Sequence, residues 1–520
     1  MNEEQKINKN SFILAIASGI LLFLSFPKFG NGIFAWVALV PLLYALQGKY
    51  LSDGLSLGFI AGLVCYVGVF YWIVFVVVNY GYLPYYAGIS AMLLLSTYLS
   101  LYMALFAAGV IYLKERGIPQ IIAAPLLWTC LEYGKSHLLT GFPWENLAYS
   151  QYLYGPIIQL ADITGIYGIS FIIVLINVVF CDLLSYRRSV LNGRQSGKRL
   201  LLKITLGCTL VLFCYFYGLL RIKEIRNALQ EAETMDVAVI QGNIDQSIKW
   251  SPQYQEETLD VYKFLSLQMP PSWSGLIVWP ETAVPLYFHD LDDLHGKVKA
   301  VAKISSDWLL FGSPSYYKEE NKISFSNSAF LLSPEGKLQQ YDKVHLVPFG
   351  EYVPLKKLFP LMGKLVAGVG DFSAGKRFYP LSMKTKKLGV LICYEGIFPE
   401  ASRTYKKMGA DLLVNITNDA WFGRTSAPFQ HLSMTTLRAV ENRLYLVRAA
   451  NTGISAVIDP TGTLTSRTEL FERSVLRGTV KFIDKKTFYT IYGDVFIYTC
   501  LISLMIIFLI SLMRRRTFIA

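Results

Sequence analysis

Seven long apolar runs occupy the first 220 residues, and an eighth follows a polar stretch of about 270 residues. No other feature restricts the fold as strongly. A helix that crosses a bilayer needs roughly 20 apolar residues, within a range of about 17–25. In lipid, every backbone polar group must find its partner inside the protein. The runs 11–27, 33–48, 55–79, 84–113, 120–134, 164–186, 200–220 and 495–513 therefore read as eight transmembrane helices. The first has Lys6 and Lys9 ahead of an apolar core, like a signal peptide, but no clean small-residue cleavage site follows, and it is expected to be retained. The fifth is short, with Pro125 inside it and Glu132 near its end. A hydrophobic share of 53% and a mean hydropathy of +0.39 agree with this division.

Basic residues orient the bundle. They crowd the segments 1–10, 49–54, 114–119, 187–199 and 514–520, whereas the intervening short loops before the sixth span offer only Lys28 and Lys135. The positive-inside rule then puts both ends in the cytoplasm and the block 221–494 on the far side. The net charge of +12 is largely accounted for by these loops and tails, where it serves topology and anionic headgroups. The polar block mixes acids with bases and has no basic stripe, so nucleic acid is not an expected partner.

Within 221–494 the pattern changes to short apolar runs between turn residues. The stretches 236–244, 275–283, 308–314, 326–336, 388–396, 411–423 and 445–462 read as strands, and 251–268 and 431–446 as helices. Buried strands interleaved with helices imply a layered α/β domain. The expected organisation is a seven-helix bundle over 1–220, an extracytoplasmic domain over 221–494, and an eighth helix with a basic cytoplasmic tail over 495–520.

Several runs end in chemistry-bearing residues. Glu281 follows "LIVWP", Cys393 follows "GVLI", and Asn415, Asn418 and Asp419 accompany "LLV". Strand ends are favoured ligand positions in α/β folds. Lys343 lies in "YDKVHLVPFGEYVP", a turn-like stretch. Taken singly, Glu281 reads sooner as a helix-capping or surface carboxylate than as a catalytic one, Lys343 as a surface lysine, and His345 and His431 as structural. Cys393 is the one cysteine in the polar block, so it forms no disulfide there, and no HExxH or second cysteine suggests a metal. It is either an inert buried thiol or a nucleophile.

"WPET", "YDKVHLVPFGEYVP" and "LICYEG" resemble, in order and context, the Glu–Lys–Cys motifs of the nitrilase superfamily. "QGNIDQSIKW", "NDAWFG" and "AANTGISAVIDPTG", together with seven spans before and one after, make the whole chain similar to the apolipoprotein N-acyltransferase family of bacterial inner membranes. The resemblance implies an α/β/β/α sandwich facing the periplasm. It implies transfer of an acyl chain from a phospholipid to the α-amino group of a diacylglyceryl-cysteine on an apolipoprotein, without a cofactor, by a monomer. Cys393 would be the nucleophile, Glu281 the general base and Lys343 the cation that lowers the thiol pKa and stabilises the oxyanion. Glu351 would orient the lysine, the Tyr394 N–H would be a second oxyanion donor, and Glu395 would be a supporting residue. Trp250 and Trp421 would be substrate walls or core packing, and the apolar stretch 358–372 a lid or a packed loop.

Two other readings compete. A membrane-tethered nitrilase-like amidase would hydrolyse a C–N bond with the same three residues. A transporter with a sensing domain would place ionisable residues inside spans, where Asp and Glu are nearly absent here.

Overall fold

The computed structural model describes residues 9–186, 197–270, 273–290, 293–305, 307–319, 322–353 and 372–516. Most of the apolar stretch 358–372 lies outside this set, as do residues 187–196 of the basic loop. The chain divides into two compact units: 1–74, 86–222 and 492–520 form one, and 75–85 with 223–491 the other.

Among the described residues, five helices are long and apolar enough to cross a membrane: Leu51–Phe70, Tyr85–Glu115, Ile166–Leu184, Gly197–Gln230 and Val495–Met513. The other three runs are less regular than expected. Lys9–Phe23 is a helix of only 15 residues. The run 33–48 splits into a 3-10 turn, Gly32–Trp36, and a short helix, Val40–Ala45. Pro41 lacks an N–H, which suits the start of a helix and not its interior. Backbone groups freed by the break are met by Asn177, whose Oδ1 accepts the Leu39 N–H at 2.8 Å and whose Nδ2 donates to Ala35 O at 2.8 Å.

The third irregular run, Gln120–His137, carries Pro125 and a charged end. Lys135, expected in an outside loop, instead lies in the last turn of this helix, 3% exposed, donating to Trp144 O at 3.2 Å. Glu132, one turn earlier, accepts the Leu147 N–H at 2.6 Å. Asp162 is likewise buried, held by Tyr217 and Arg221 at 2.6 and 2.9 Å. Ionisable groups thus occur in this unit where each one anchors a chain reversal or a neighbouring helix.

The second unit is built on two six-stranded sheets. Its strands are β1 (Thr234–Gln241), β2 (Gly275–Val278), β3 (Trp308–Glu319), β4 (Lys322–Leu332), β5 (Leu338–Asp342), β6 (Leu381–Met383), β7 (Lys386–Ile392), β8 (Leu412–Thr417), β9 (Tyr445–Ala450), β10 (Ala456–Ile458), β11 (Leu464–Arg467) and β12 (Ser474–Lys481). One sheet has the order β12-β1-β2-β3-β4-β5 and the other β11-β10-β9-β8-β7-β6. The centres β1-β2-β3 and β7-β8-β9 are parallel, and every flanking pair is antiparallel.

Helices Pro252–Ser266 and Asp293–Ser305 cover the first sheet through Leu259, Tyr262, Val298 and Val301, which pack on Ile240, Ile277 and Phe311. Helices Pro399–Lys407 and Ala427–Asn442 cover the second sheet. The sheets meet on their other faces, where Gln241 Oε1 accepts the Ser455 and Thr468 hydroxyls at 2.7 and 2.8 Å. This is the expected α/β/β/α sandwich.

The seven expected strands all form, but 445–462 is two strands rather than one, because Asn451–Ser455 turns the chain. Helices 293–305 and 399–407 and strands β5, β6, β11 and β12 carried no readable run. These edge strands are mostly half-buried or alternate from one residue to the next, so they lack an apolar stretch.

Candidate active site

The three candidate residues converge at the seam where the two sheets face each other. Glu281 follows β2, Lys343 follows β5, and Cys393 follows β7. Each leaves its strand where the sheet ladder stops, so backbone pairing fixes its root while its side chain is released. β3 passes close beneath Glu281. A Cβ on Gly312 would sit 2.4 Å from the Thr282 nitrogen and 2.7 Å from Glu281 Cα, so only glycine fits.

Lys343 is 1% exposed and lies between two carboxylates. Its Nζ is 2.9 Å from Glu351 Oε1 and 3.6 Å from Glu281 Oε1. Burial works against its charge, but Glu351 and Glu281 outweigh burial and lift its pKa above the ordinary lysine value. It is a fixed ammonium. Asn327, on β4, ties the two acids together by donating to Glu281 Oε1 at 2.7 Å and to Glu351 Oε1 at 3.0 Å. Glu281 Oε2 accepts the Asn418 N–H at 2.8 Å, a bond that crosses from one sheet to the other. Glu351 Oε2 caps its own turn by accepting the Val347 N–H at 2.8 Å.

Cys393 opens a 3-10 turn, Cys393–Ile397, with φ at +49°, a left-handed conformation rare outside glycine. Burial and then the Glu281 carboxylate push its thiol pKa well up, and Lys343 only partly opposes them. The resemblance leads to the expectation of a thiol whose pKa Lys343 lowers. The structure reverses the net direction, because desolvation disfavours a thiolate more than one ammonium between two carboxylates favours it. The resting residue is a thiol.

Glu395 supports the site from behind. Its Oε1 accepts Tyr341 Oη at 2.8 Å, Val344 N at 2.7 Å and His345 N at 3.2 Å, and its Oε2 accepts Ile392 N at 2.7 Å. One buried carboxyl thus joins the segment after Lys343 to the strand before Cys393. Burial raises its pKa to about 7 in spite of these donors. An unfolded glutamate titrates near ~4.3, so the native state holds more protons between these values. The associated stability is full below about pH 4 and is lost as pH rises through about 7. Melting temperatures at pH 5 and pH 8 should therefore show wild type losing stability with pH. Glu395→Gln, uncharged at both, should lose this part of the slope.

The remaining candidates are spread more widely. Tyr394 has its ring 5.0 Å from Phe398, and the side chain is buried. Trp250 is 40% exposed in the turn ahead of helix Pro252–Ser266. Trp421 packs edge-on to Tyr80 at 5.0 Å, and Tyr80 also donates to Ala420 O at 3.0 Å.

Asn327 and Lys249 were not legible as site residues. Asn327 sits in "SNSAF", an ordinary-looking strand. Lys249, fully buried, donates to Glu281 O at 3.2 Å and Thr282 Oγ1 at 2.7 Å. Burial lowers its pKa to about 7, opposed by Glu281. The one available signal for it was its place beside Trp250 in "QGNIDQSIKW".

A carboxylate, a fixed cation and a protonated thiol at one seam form a set able to deprotonate a nucleophile and stabilise an oxyanion. Comparison with known proteins places both parts of the chain. Residues 18–179 match the apolipoprotein N-acyltransferase N-terminal domain, and residues 236–484 match the carbon-nitrogen hydrolase family. An apolipoprotein N-acyltransferase of Geobacter metallireducens is 45% identical over 99% of this chain and 98% of its own length. Those of Pasteurella multocida and Shewanella oneidensis are 32% and 30% identical, over 98% and 95% of this chain and 97% and 94% of their own lengths. A nitrilase-like sandwich and a set of membrane-length helices, aligned end to end with these relatives, make this chain a member of the apolipoprotein N-acyltransferase family of acyltransferases.

Proposed function

We propose that this protein moves an acyl chain from a phospholipid to the α-amino group of an N-terminal diacylglyceryl-cysteine on an apolipoprotein, through a thioester on Cys393. The observation that carries the mechanism is the buried Glu281–Lys343–Glu351 cluster, tied by Asn327 and facing a thiol that keeps its proton.

In the first half-reaction Glu281 takes the Cys393 proton as sulfur attacks the ester carbonyl. The oxyanion is met by the Lys343 ammonium and the Tyr394 N–H. Collapse breaks the C–O bond, and Glu281 returns the proton to the departing lysophospholipid oxygen. In the second, the amine attacks the thioester, Glu281 takes an N–H proton, and collapse releases the amide and restores the thiol. Splitting ester-to-amide exchange into two steps avoids a slow direct attack. Glu351 and Asn327 hold Lys343 and Glu281 in place, and Glu395 braces the segments that carry Lys343 and Cys393. Trp250 and Trp421 are proposed walls for lipid or lipoprotein. The reaction as written uses no cofactor and no metal.

The same reading takes residues 1–220 and 495–520 as a bundle of eight spans in a bacterial inner membrane. It takes 221–494 as a periplasmic catalytic domain, in a protein that acts as a monomer and does not bind nucleic acid. Support comes from the alternation of basic loops and from the family to which the chain belongs.

Incubation with phospholipid alone should leave an acyl mass on the Cys393 peptide, because the acceptor that clears it is absent. Mass spectrometry checks this, and hydroxylamine should remove the added mass. Acyl transfer at an unchanged rate by Cys393→Ala would sink the mechanism.

A further inference from the structure

The turn that carries Cys393 rests on a buried polar network that the acyl-transfer scheme leaves unused. His431, in the first turns of helix Ala427–Asn442, is 1% exposed. Its Nε2 lies 3.1 Å from the carbonyl oxygen of Cys393. Its Nδ1 lies 3.1 Å from Asp419 Oδ1 and 3.1 Å from an Arg448 guanidinium nitrogen. The same Arg448 nitrogen donates to Asp419 Oδ2 at 2.7 Å, and the other terminal nitrogen donates to Asn415 Oδ1. Asn415 Nδ2 in turn reaches the Cys393 carbonyl at 3.4 Å.

Proton positions follow from what each group can do. A carbonyl only accepts, so Nε2 carries a hydrogen. Arg448 only donates, so the Nδ1 facing it offers a lone pair, whereas a bond to Asp419 would need a proton there. Burial first, then Arg448, pushes the His431 pKa down against the pull of Asp419. The ring is therefore neutral, receiving from Arg448 at Nδ1 and donating to Cys393 from Nε2. Burial also works against the Asp419 carboxylate, but the Arg448 guanidinium above all, joined by the Thr417 hydroxyl that donates to Asp419 Oδ1 at 3.0 Å, holds its pKa to about 2. Arg448 is thus anchored by a full negative charge.

This network grips a backbone carbonyl rather than the thiol. Cys393 is in a left-handed conformation, which is strained in a non-glycine residue and persists only where the surroundings enforce it. A trans peptide is planar, so the Cys393 carbonyl and the Tyr394 N–H point in opposite directions. Holding the carbonyl against His431 fixes the direction of the N–H. We propose that His431, braced by Asp419 and Arg448, is a positioning residue that locks the Cys393–Tyr394 peptide and aims the Tyr394 N–H at the oxyanion formed when Cys393 attacks an acyl ester. The assignment rests on Cys393 being the nucleophile.

Two near-isosteric variants separate the hydrogen bond from the space it fills. His431→Gln can place an N–H donor where the imidazole Nε2 lies. His431→Asn keeps a polar group for Arg448 and Asp419 but is too short to reach Cys393. Thioester formation is followed in a single turnover with phosphatidylethanolamine bearing a fluorescent acyl chain, in detergent, on the full-length chain. Alkylation of Cys393 by iodoacetamide is followed in parallel, because displacement at carbon forms no oxyanion.

Loss of one oxyanion donor costs about 10²–10³ in rate, so the Asn variant should acylate more slowly by up to that factor while alkylating like wild type. The Gln variant should recover most of the acylation. Acylation of the Asn variant at the wild-type rate would overturn the proposal. So would acylation and alkylation falling together, or a folded Gln variant as slow as the Asn variant. Unmutated enzyme that is alkylated at Cys393 but never acylated there would overturn the nucleophile itself, an outcome visible without any variant.

Discussion

Glu281→Gln is expected to suppress thioester formation by about 10²–10⁴, the usual contribution of a positioned general base. The size follows from the state of Cys393. Because burial and the Glu281 charge keep the thiol protonated, attack requires a proton acceptor in the transition state, and an amide is none. Glutamine also replaces one of two accepting oxygens with a donor, so either Asn327 Nδ2 or Asn418 N loses its partner. A melting experiment should accordingly register a loss of about 1–3 kcal/mol. Pre-formed thioester should still react with an amine, slowly but measurably, because the amine gives up its proton only as it attacks. Quenched-flow measurement of each half-reaction distinguishes these cases. Normal thioester accumulation in Glu281→Gln would transfer the role of base to another carboxylate, with Glu351 and Glu395 next in line.

Lys343→Met should damage both half-reactions and the fold together. Removing an oxyanion donor costs about 10²–10³ in rate, and both steps pass through an oxyanion. The structural cost is separate. Lys343 is the cation between Glu281 and Glu351, and breaking a buried ion pair by deleting one partner typically costs about 3–5 kcal/mol. Two carboxylates joined by one Asn327 amide would then face each other with no cation between them. Parallel melting curves and single-turnover rates check this, and equal stability of variant and wild type would mean that these ion pairs contribute nothing to the fold.

Glu281, Lys343 and Cys393 were legible because each interrupts an apolar run or its immediate edge, a local signal that needs no knowledge of the fold. Their convergence was not local. Glu281 and Lys343 belong to one sheet and Cys393 to the other, and nothing in the spacing of 281, 343 and 393 states that the sheets meet there. Asn327 was invisible for a related reason. A single polar residue in a strand is usual, and its value lies in touching two acids, at 281 and 351, that are distant in sequence. The Asp419–His431–Arg448 network was half legible: Asp419 stood out at a strand end, but Arg448 sits in the apolar run of β9, where its charge gave no hint of its partners. In the helical unit, hydropathy located each run but not the breaks within them. Asn177 compensates the break between Trp36 and Val40 from far along the chain, and Lys135 is drawn inside by a carbonyl it meets only after the chain reverses.

The placement of base and nucleophile on different sheets has a consequence for biogenesis. A newly made chain of this kind emerges beside a large reservoir of lipid esters, and a thiol that was reactive by itself could capture acyl groups before the protein had folded. On the proposed mechanism this thiol is not reactive by itself. Its base arrives on β2, its cation follows β5, and the Asn418 N–H that orients that base belongs to β8. On that mechanism competence appears only when the two halves dock, so the sandwich acts as its own safety catch.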